Sequence, residues 1–299
     1  MADTDTITRP ATAPSTVSPD LDATSLRPPR RGGRAAARFQ ARALTLLRRT
    51  AVIAALLVVW EVAPRIRTGP DSYLVEPSLL PPFSRVAQAW WQLLLDGELW
   101  DNTQPSLVRS LSGFALAVGV GVPLGFAVAW SRHVRDLLNP ALELFRNTAA
   151  LALLPAFTLI LGLGETSKIA LVFYACLFPV VLNTITGVHT VDPLLIRCAR
   201  SMGFHRVRLF RKVVLPAAVP SIFTGIRQAG AASILILLAA EMVGAKAGLG
   251  YLINYTQFNF MIPQMYAGIV TIAVLGLCFN ATLVALERRA SRWQTEANR

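Results

Sequence analysis

Ser110–Trp130 reads SLSGFALAVGVGVPLGFAVAW, twenty-one residues without a charge. A run of that length carries a helix across the hydrocarbon core of a bilayer. Gly113, Gly119, Gly121 and Gly125 lie along it, and small residues let helices approach closely in lipid. The stretch therefore predicts a packed inner membrane helix.

Comparable runs recur on both sides. Downstream, the expected spans are Leu138–Gly162, Ile169–Val188, Pro220–Gly244 and Met265–Leu286. Pro155 falls in the second half of the first of these, and Glu143 and Arg146, three apart on one helical face, are expected to pair. Upstream, Thr50–Trp60 is apolar before Glu61 and Pro64 interrupt it. A short span lengthened by snorkelling Arg48 and Arg49, or a short interfacial helix, both fit it. Phe83–Leu95 reads as an amphipathic helix, with Trp90, Trp91 and Trp100 suited to headgroup level. Residues 245–263 carry Gly248, Gly250, Asn254, Gln257 and Asn259. They are too interrupted to span, and re-enter the membrane or lie at its surface.

The chain of 299 residues is 54% hydrophobic with a formal net charge of +12. Soluble domains run at about 45–50% apolar. The charge distribution gives the topology. With six spans, twenty-one Lys and Arg fall on the face that holds both termini and residues 189–216, against five on the other. The positive-inside rule makes the first face cytoplasmic and accounts for the charge without nucleic acid. Four regions follow. Residues 1–34 are a polar tail too poor in apolar residues to order itself. Residues 35–104 hold a basic segment suited to anionic lipid, the first span and an external connection. Residues 105–288 are the membrane core, and residues 289–299 a cytoplasmic tail. Cys176, Cys198 and Cys278 fit no metal-ligand spacing, and no GxxxxGK[ST] phosphate loop occurs.

Residues 191–216 read VDPLLIRCARSMGFHRVRLFRKVVLP. Val207, Phe210, Val213 and Val214 share a helical face, and Gly203 suits a left-handed turn. The expected element is helix–glycine–helix on the cytoplasmic surface, and a helix that merely caps the membrane face is the blander alternative. The spacing resembles the coupling loop of binding-protein-dependent ABC importer permeases, which has E-A-A, three residues, G, nine residues, I, one residue, L-P. Here Arg197, Cys198 and Ala199 stand at E-A-A, Arg200, Ser201 and Met202 fill the gap, Gly203 is the glycine, and Val213, Leu215 and Pro216 close the motif. Arg197 replaces the acid of the pattern. Leu151–Lys168, the run from Phe178-Pro179 through Asn183-Thr184 to Gly187, and Ala239-Ala240-Glu241-Met242 with Gly248-Leu249-Gly250 are similar to the nitrate/sulfonate/taurine/bicarbonate group. The likeness covers residues 83–288 and departs at Ala149, where that group often has Pro.

The resemblance implies an all-α integral membrane protein of six helices with the type I importer permease (MetI-like) fold. It implies a second permease copy, two ABC ATPase subunits that hold ATP and Mg, and an extracytoplasmic solute-binding protein. Arg197, Cys198, Ala199, Arg200, Gly203, Phe204, Val213, Leu215 and Pro216 would dock the ATPase. The solute would be a small anion such as a sulfonate or nitrate, although close relatives carry heterocyclic vitamin precursors. Asn147, Asn183 and Glu241 are candidates for the pathway or a gate. For Glu241 a packing contact competes with a gate. Arg227 is expected to face the loop or the cytoplasm. The rival reading, an ion-gradient-driven secondary transporter, predicts midplane ionisable residues and inverted repeats.

Overall fold

A computed structural model describes residues 51–52, 54–66, 76 and 78–290. The expected tail of residues 1–34 and the basic run ending at Arg49 lie outside the described residues. Two compact units divide the chain, Met1–Leu56 and Leu57–Arg299. Of the first, residues 51–52 and 54–56 are helical; in the second, helix α1 covers residues 57–62. All else concerns the second unit, whose regular elements among the described residues are helical.

Four helices are long and apolar enough to cross a membrane: α3 (Glu98–Trp130), α6 (Glu165–His189), α8 (Arg206–Met242) and α10 (Ile262–Ala290). The shorter elements are α2 (Phe83–Leu95), α4 (Arg132–Asn147), α5 (Leu154–Leu161), α7 (Pro193–Ser201) and α9 (Leu249–Phe258). Helix α2 is the amphipathic segment expected, burying Val86, Ala89 and Leu93.

The core is α3, α6 and α8. Gly113, Ala117, Gly121 and Gly125 recur every four residues along α3 and are all buried. They meet Val172, Cys176, Val180 and Thr184, spaced in the same way on α6 and each fully buried. Contacts such as 113 to 172 and 125 to 184 keep one offset, so the two helices run parallel. A Cβ at Gly125 would lie 2.6 Å from that of Thr184, so this ridge stays small for packing. Gly119 is off the ridge and faces open space. Helix α8 returns antiparallel on the other side of α6, with the Cys176 thiol 3.2 Å from the carbonyl of Ala229. Helix α10 packs against α2, α8 and α9. It is fixed by the Trp90 indole N–H, which donates to Thr271 Oγ1 at 3.0 Å.

Several expectations change. The single third span is two helices, α4 and a second piece over Ala150–Leu161, meeting at 89°, and counting that pair gives five crossings. Thr148 and Ala149 are extended at the corner. Pro155 does not interrupt a span, because it lies in the first turn of α5, where a missing N–H is harmless. Glu143 and Arg146 do not pair, and both are exposed. Of the two readings for Arg227, loop or cytoplasm, the loop is not its partner: it bridges to Glu287 near the C-terminal end of α10 at 3.1 Å and stays partly exposed. Helix α3 begins twelve residues earlier than the apolar run, with Glu98 and Asp101 in its first turn, where acids favour the helix dipole. Helix α6 likewise begins at Glu165, four residues before the expected span from Ile169.

Candidate functional site

Two assemblies stand at opposite ends of the core. At the basic end, Asp192 caps α7, its Oδ1 accepting from the Leu194 N–H at 2.8 Å, and Pro193 occupies the first turn. The helix ends as a Schellman turn. The Phe204 N–H donates to Ala199 O at 3.1 Å and the Gly203 N–H to Arg200 O at 2.9 Å. Gly203 has φ +77, the left-handed region that glycine enters without strain. The Arg208 guanidinium then stacks 4.6 Å over the Phe204 ring.

The second half of the element is not a separate surface helix. From Arg206 the chain is helical without a break to Met242. A π-helical turn over Phe210–Val214 and Pro216 are absorbed within it. Leu209 and Val214 are buried, and Phe210 wedges edge-on between Phe126 and Trp130 of α3 at 5.0 and 5.5 Å. Of the face expected to be apolar, Val214 is buried, Phe210 and Val213 are half-buried, and Val207 is exposed. Arg135 closes the neighbouring corner. It donates to Ala129 O at 2.9 Å and meets His189 Nε2 at 3.0 Å, so the ends of α3 and α6 share one cation.

Of the motif residues, Ala199 is buried, Phe204, Val213, Leu215 and Pro216 are half-buried, and Arg197, Cys198, Arg200 and Gly203 are exposed. Leu194, Leu195 and Met202 project beside Arg197, each more than half exposed. Arg197 has no ion-pair partner among the described residues. The tip of α7 is thus an apolar patch with guanidinium groups, held out from the membrane helices by a fixed turn.

At the other end is a buried ion cluster centred on Glu241, 1% exposed. Its carboxylate accepts from Arg109 Nη1 at 2.7 Å, from Ser106 Oγ at 2.8 Å and from the Gly250 N–H at 2.9 Å. Arg109 also donates to Ala247 O at 2.7 Å, and its other edge grips Glu165 in a bidentate pair. Asn102 Oδ1 takes the Gly248 N–H and Ser106 Oγ the Leu249 N–H, so side chains of α3 satisfy the first donors of α9. Gly248, at φ +133, passes so close that a Cβ would lie 2.5 Å from the carboxyl of Glu241. Lys168 Nζ donates to Leu163 O at 2.8 Å and Gly164 O at 3.0 Å. Arg109, Lys168 and Glu241 are buried, and the exposed Glu165 supplies the second carboxylate at the rim. The cluster ties α3, α6 and α8 to the turn before α9.

The expected candidates are not brought together. Glu241 belongs to the ion cluster. Asn183 lies half-buried on α6 and donates to Pro179 O at 2.8 Å and to Gln228 Oε1 at 3.0 Å. Asn147 is exposed at the end of α4, with no hydrogen bond among the described residues. Sequence reasoning missed Arg109 and Ser106 as partners of Glu241, and Glu165 as the second acid on Arg109. The usable signal was that Arg109 is the sole charge between Asp101 and Arg132.

Comparison with known proteins accords with this architecture. Residues 121–292 match the family described as the binding-protein-dependent transport system inner membrane component. The taurine transport system permease protein TauC of Escherichia coli is 34% identical over 249 residues, 82% of this chain and 88% of the relative. The putative aliphatic sulfonates transport permease protein SsuC of Bacillus subtilis is 32% identical over 241 residues, 81% of this chain and 85% of the relative. In fold the chain is similar to a structure of the MetNI methionine ABC transporter in an inward-facing conformation, with a TM-score of 0.55 and 19% identity over 66% of this chain and 96% of that one. The chain belongs to the binding-protein-dependent inner membrane component family and is a multi-pass membrane permease subunit of an ABC importer, not the subunit that hydrolyses ATP.

Proposed function

We propose that this permease imports a small organic anion of the alkanesulfonate class. Its described relatives support that class, since one is named for taurine and another for aliphatic sulfonates. Two copies would surround one pathway. Two ATPase subunits, holding ATP and Mg, would dock at the tips of α7 on the cytoplasmic side, with the solute-binding protein on the opposite face. Both termini would be cytoplasmic, by the excess of Lys and Arg at that end.

The observation that carries the mechanism is the unbroken helix from Arg206 to Met242. Its 37 residues span about 55 Å at the usual rise. One end is joined to α7 through Gly203, and the other bears Glu241. Closure of the ATPases on ATP would displace α7, the rigid turn would pass that motion to α8, and α8 would move against the ion cluster. Glu241 would then hold the outer end of the moving helix against Arg109 of α3, with Asn183 and Asn147 on the pathway side.

The test is reconstitution of permease, ATPase and cognate binding protein in proteoliposomes, measuring ATP-dependent uptake of taurine and ethanesulfonate. Uptake that requires all three components supports the reading. Uptake driven by an ion gradient without ATP, or import of neither sulfonate, overturns it.

A further inference from the structure

We propose that Arg146 and Gln228 form an anion subsite part-way across the permease, a reading that rests on the importer function above. The site is a groove of about 470 Å³ between α4, α6 and α8. That volume is in the range of sites for small organic ligands. Its chemistry comes from Arg146, Thr148, Tyr174, Phe178, Asn183 and Gln228.

Depth comes first. The Tyr174 hydroxyl donates to the carbonyl of Phe145 at 2.6 Å, pinning the end of α4 to α6. Tyr174 is nine residues into α6, about 14 Å along it. That is a little over a third of the way along the 25-residue helix, inside its apolar stretch. Arg146, the next residue after Phe145, leaves the backbone at this level.

Charge comes second. A cation at that depth is expensive and normally faces a partner or water. Arg109 and Arg227, which also lie in membrane helices, are neutralised, Arg109 by Glu165 and Glu241 and Arg227 by Glu287. The Arg146 side chain is exposed, with no ion pair or hydrogen bond among the described residues. It lies in the last turn of α4, where the helix dipole favours a cation without cancelling its charge.

The direction of the neighbouring donors comes third. Asn183 gives one amide hydrogen to Pro179 O, which fixes which end of its side chain is nitrogen. Its other hydrogen goes to Gln228, so Gln228 must present Oε1 there. The NH2 of Gln228 is therefore directed elsewhere, with no acceptor among the described residues. The groove thus offers a guanidinium and an amide NH2, the donor set that a sulfonate or carboxylate head accepts from. Tyr174 and Phe178, in edge contact at 5.2 Å, form an apolar wall for the carbon part of the solute.

The test uses the complete complex in proteoliposomes with labelled ethanesulfonate and taurine. Arg146→Ala should lower solute moved per ATP hydrolysed about tenfold, the cost of one hydrogen bond to a charge. Arg146→Lys should retain more of the uptake, and Gln228→Ala should lose a smaller part. Wild-type uptake in Arg146→Ala would overturn the subsite. So would loss of permease–permease assembly on size exclusion in both Arg146 variants, which would make the residue a contact between copies. If the wild-type complex imports neither sulfonate, the solute class falls and the subsite with it.

Discussion

Replacing Gly203 with valine should uncouple ATP hydrolysis from transport, and the structure gives the size of the effect. Gly203 has φ +77 and closes the Schellman turn at the end of α7. No atom lies within 4 Å of a Cβ placed there. The cost is therefore backbone strain, about 1–2 kcal/mol for a side chain forced into the left-handed region. That lowers the population of the intact turn about 5–30-fold. Because Gly203 is exposed, the packing of α3, α6 and α8 should survive, and the thermal midpoint in detergent should stay at the wild-type value. The assay is paired measurement of uptake and ATP hydrolysis in proteoliposomes. Gly203→Val should lower uptake per ATP by a similar factor, and Gly203→Asn, which tolerates this region, should lose less. Wild-type coupling in Gly203→Val would show that the turn does not transmit motion.

Other expected outcomes concern the two ends of α8 and the tip of α7. Arg109→Ala leaves the Glu241 carboxylate buried without its cation, a loss of about 3–5 kcal/mol. It should lower the thermal midpoint sharply, whereas Arg109→Met with Glu241→Leu should recover part of it. Glu165→Gln should cost under about 1 kcal/mol, because that side chain is 63% exposed. Equal losses in Arg109→Ala and Glu165→Gln would contradict the burial argument. Arg197→Glu reverses an exposed charge at the tip of α7 and restores the acid of the family pattern, so it should change ATPase affinity in a titration. Unchanged affinity would remove Arg197 from the interface.

The membrane helices were legible because a run such as Ser110–Trp130 excludes charge, and residue composition records that directly. Helix α2 was legible because its apolar residues repeat with helical spacing. The turn at Gly203 could be read because glycine is what that backbone needs. The break between α4 and α5 could not, since Thr148, Ala149 and Ala150 contain neither proline nor glycine and apolar residues continue past them. The corner is held by tertiary contacts such as Tyr174 to Phe145, 29 residues apart. The ion cluster was hidden for the same reason. Arg109 and Glu241 are 132 residues apart, and each alone reads as an isolated charge near a helix end. The helix after Gly203 was placed too early on the surface because Arg206, Arg208, Arg211 and Lys212 look like a solvated loop. All four are exposed on α8, while Leu209 and Val214 beside them are buried.

The docking of an ATPase at α7 is the central claim, and the native thiol of Cys198 tests it directly. Cys198 is exposed on α7, Cys176 is buried, and the exposed Cys278 can be replaced by serine. A membrane-impermeant maleimide applied to sealed vesicles should label Cys198 from the cytoplasmic side alone, and the ATPase subunit should protect it. Labelling from the opposite side, or labelling that the ATPase does not slow, would contradict both the orientation and the docking site.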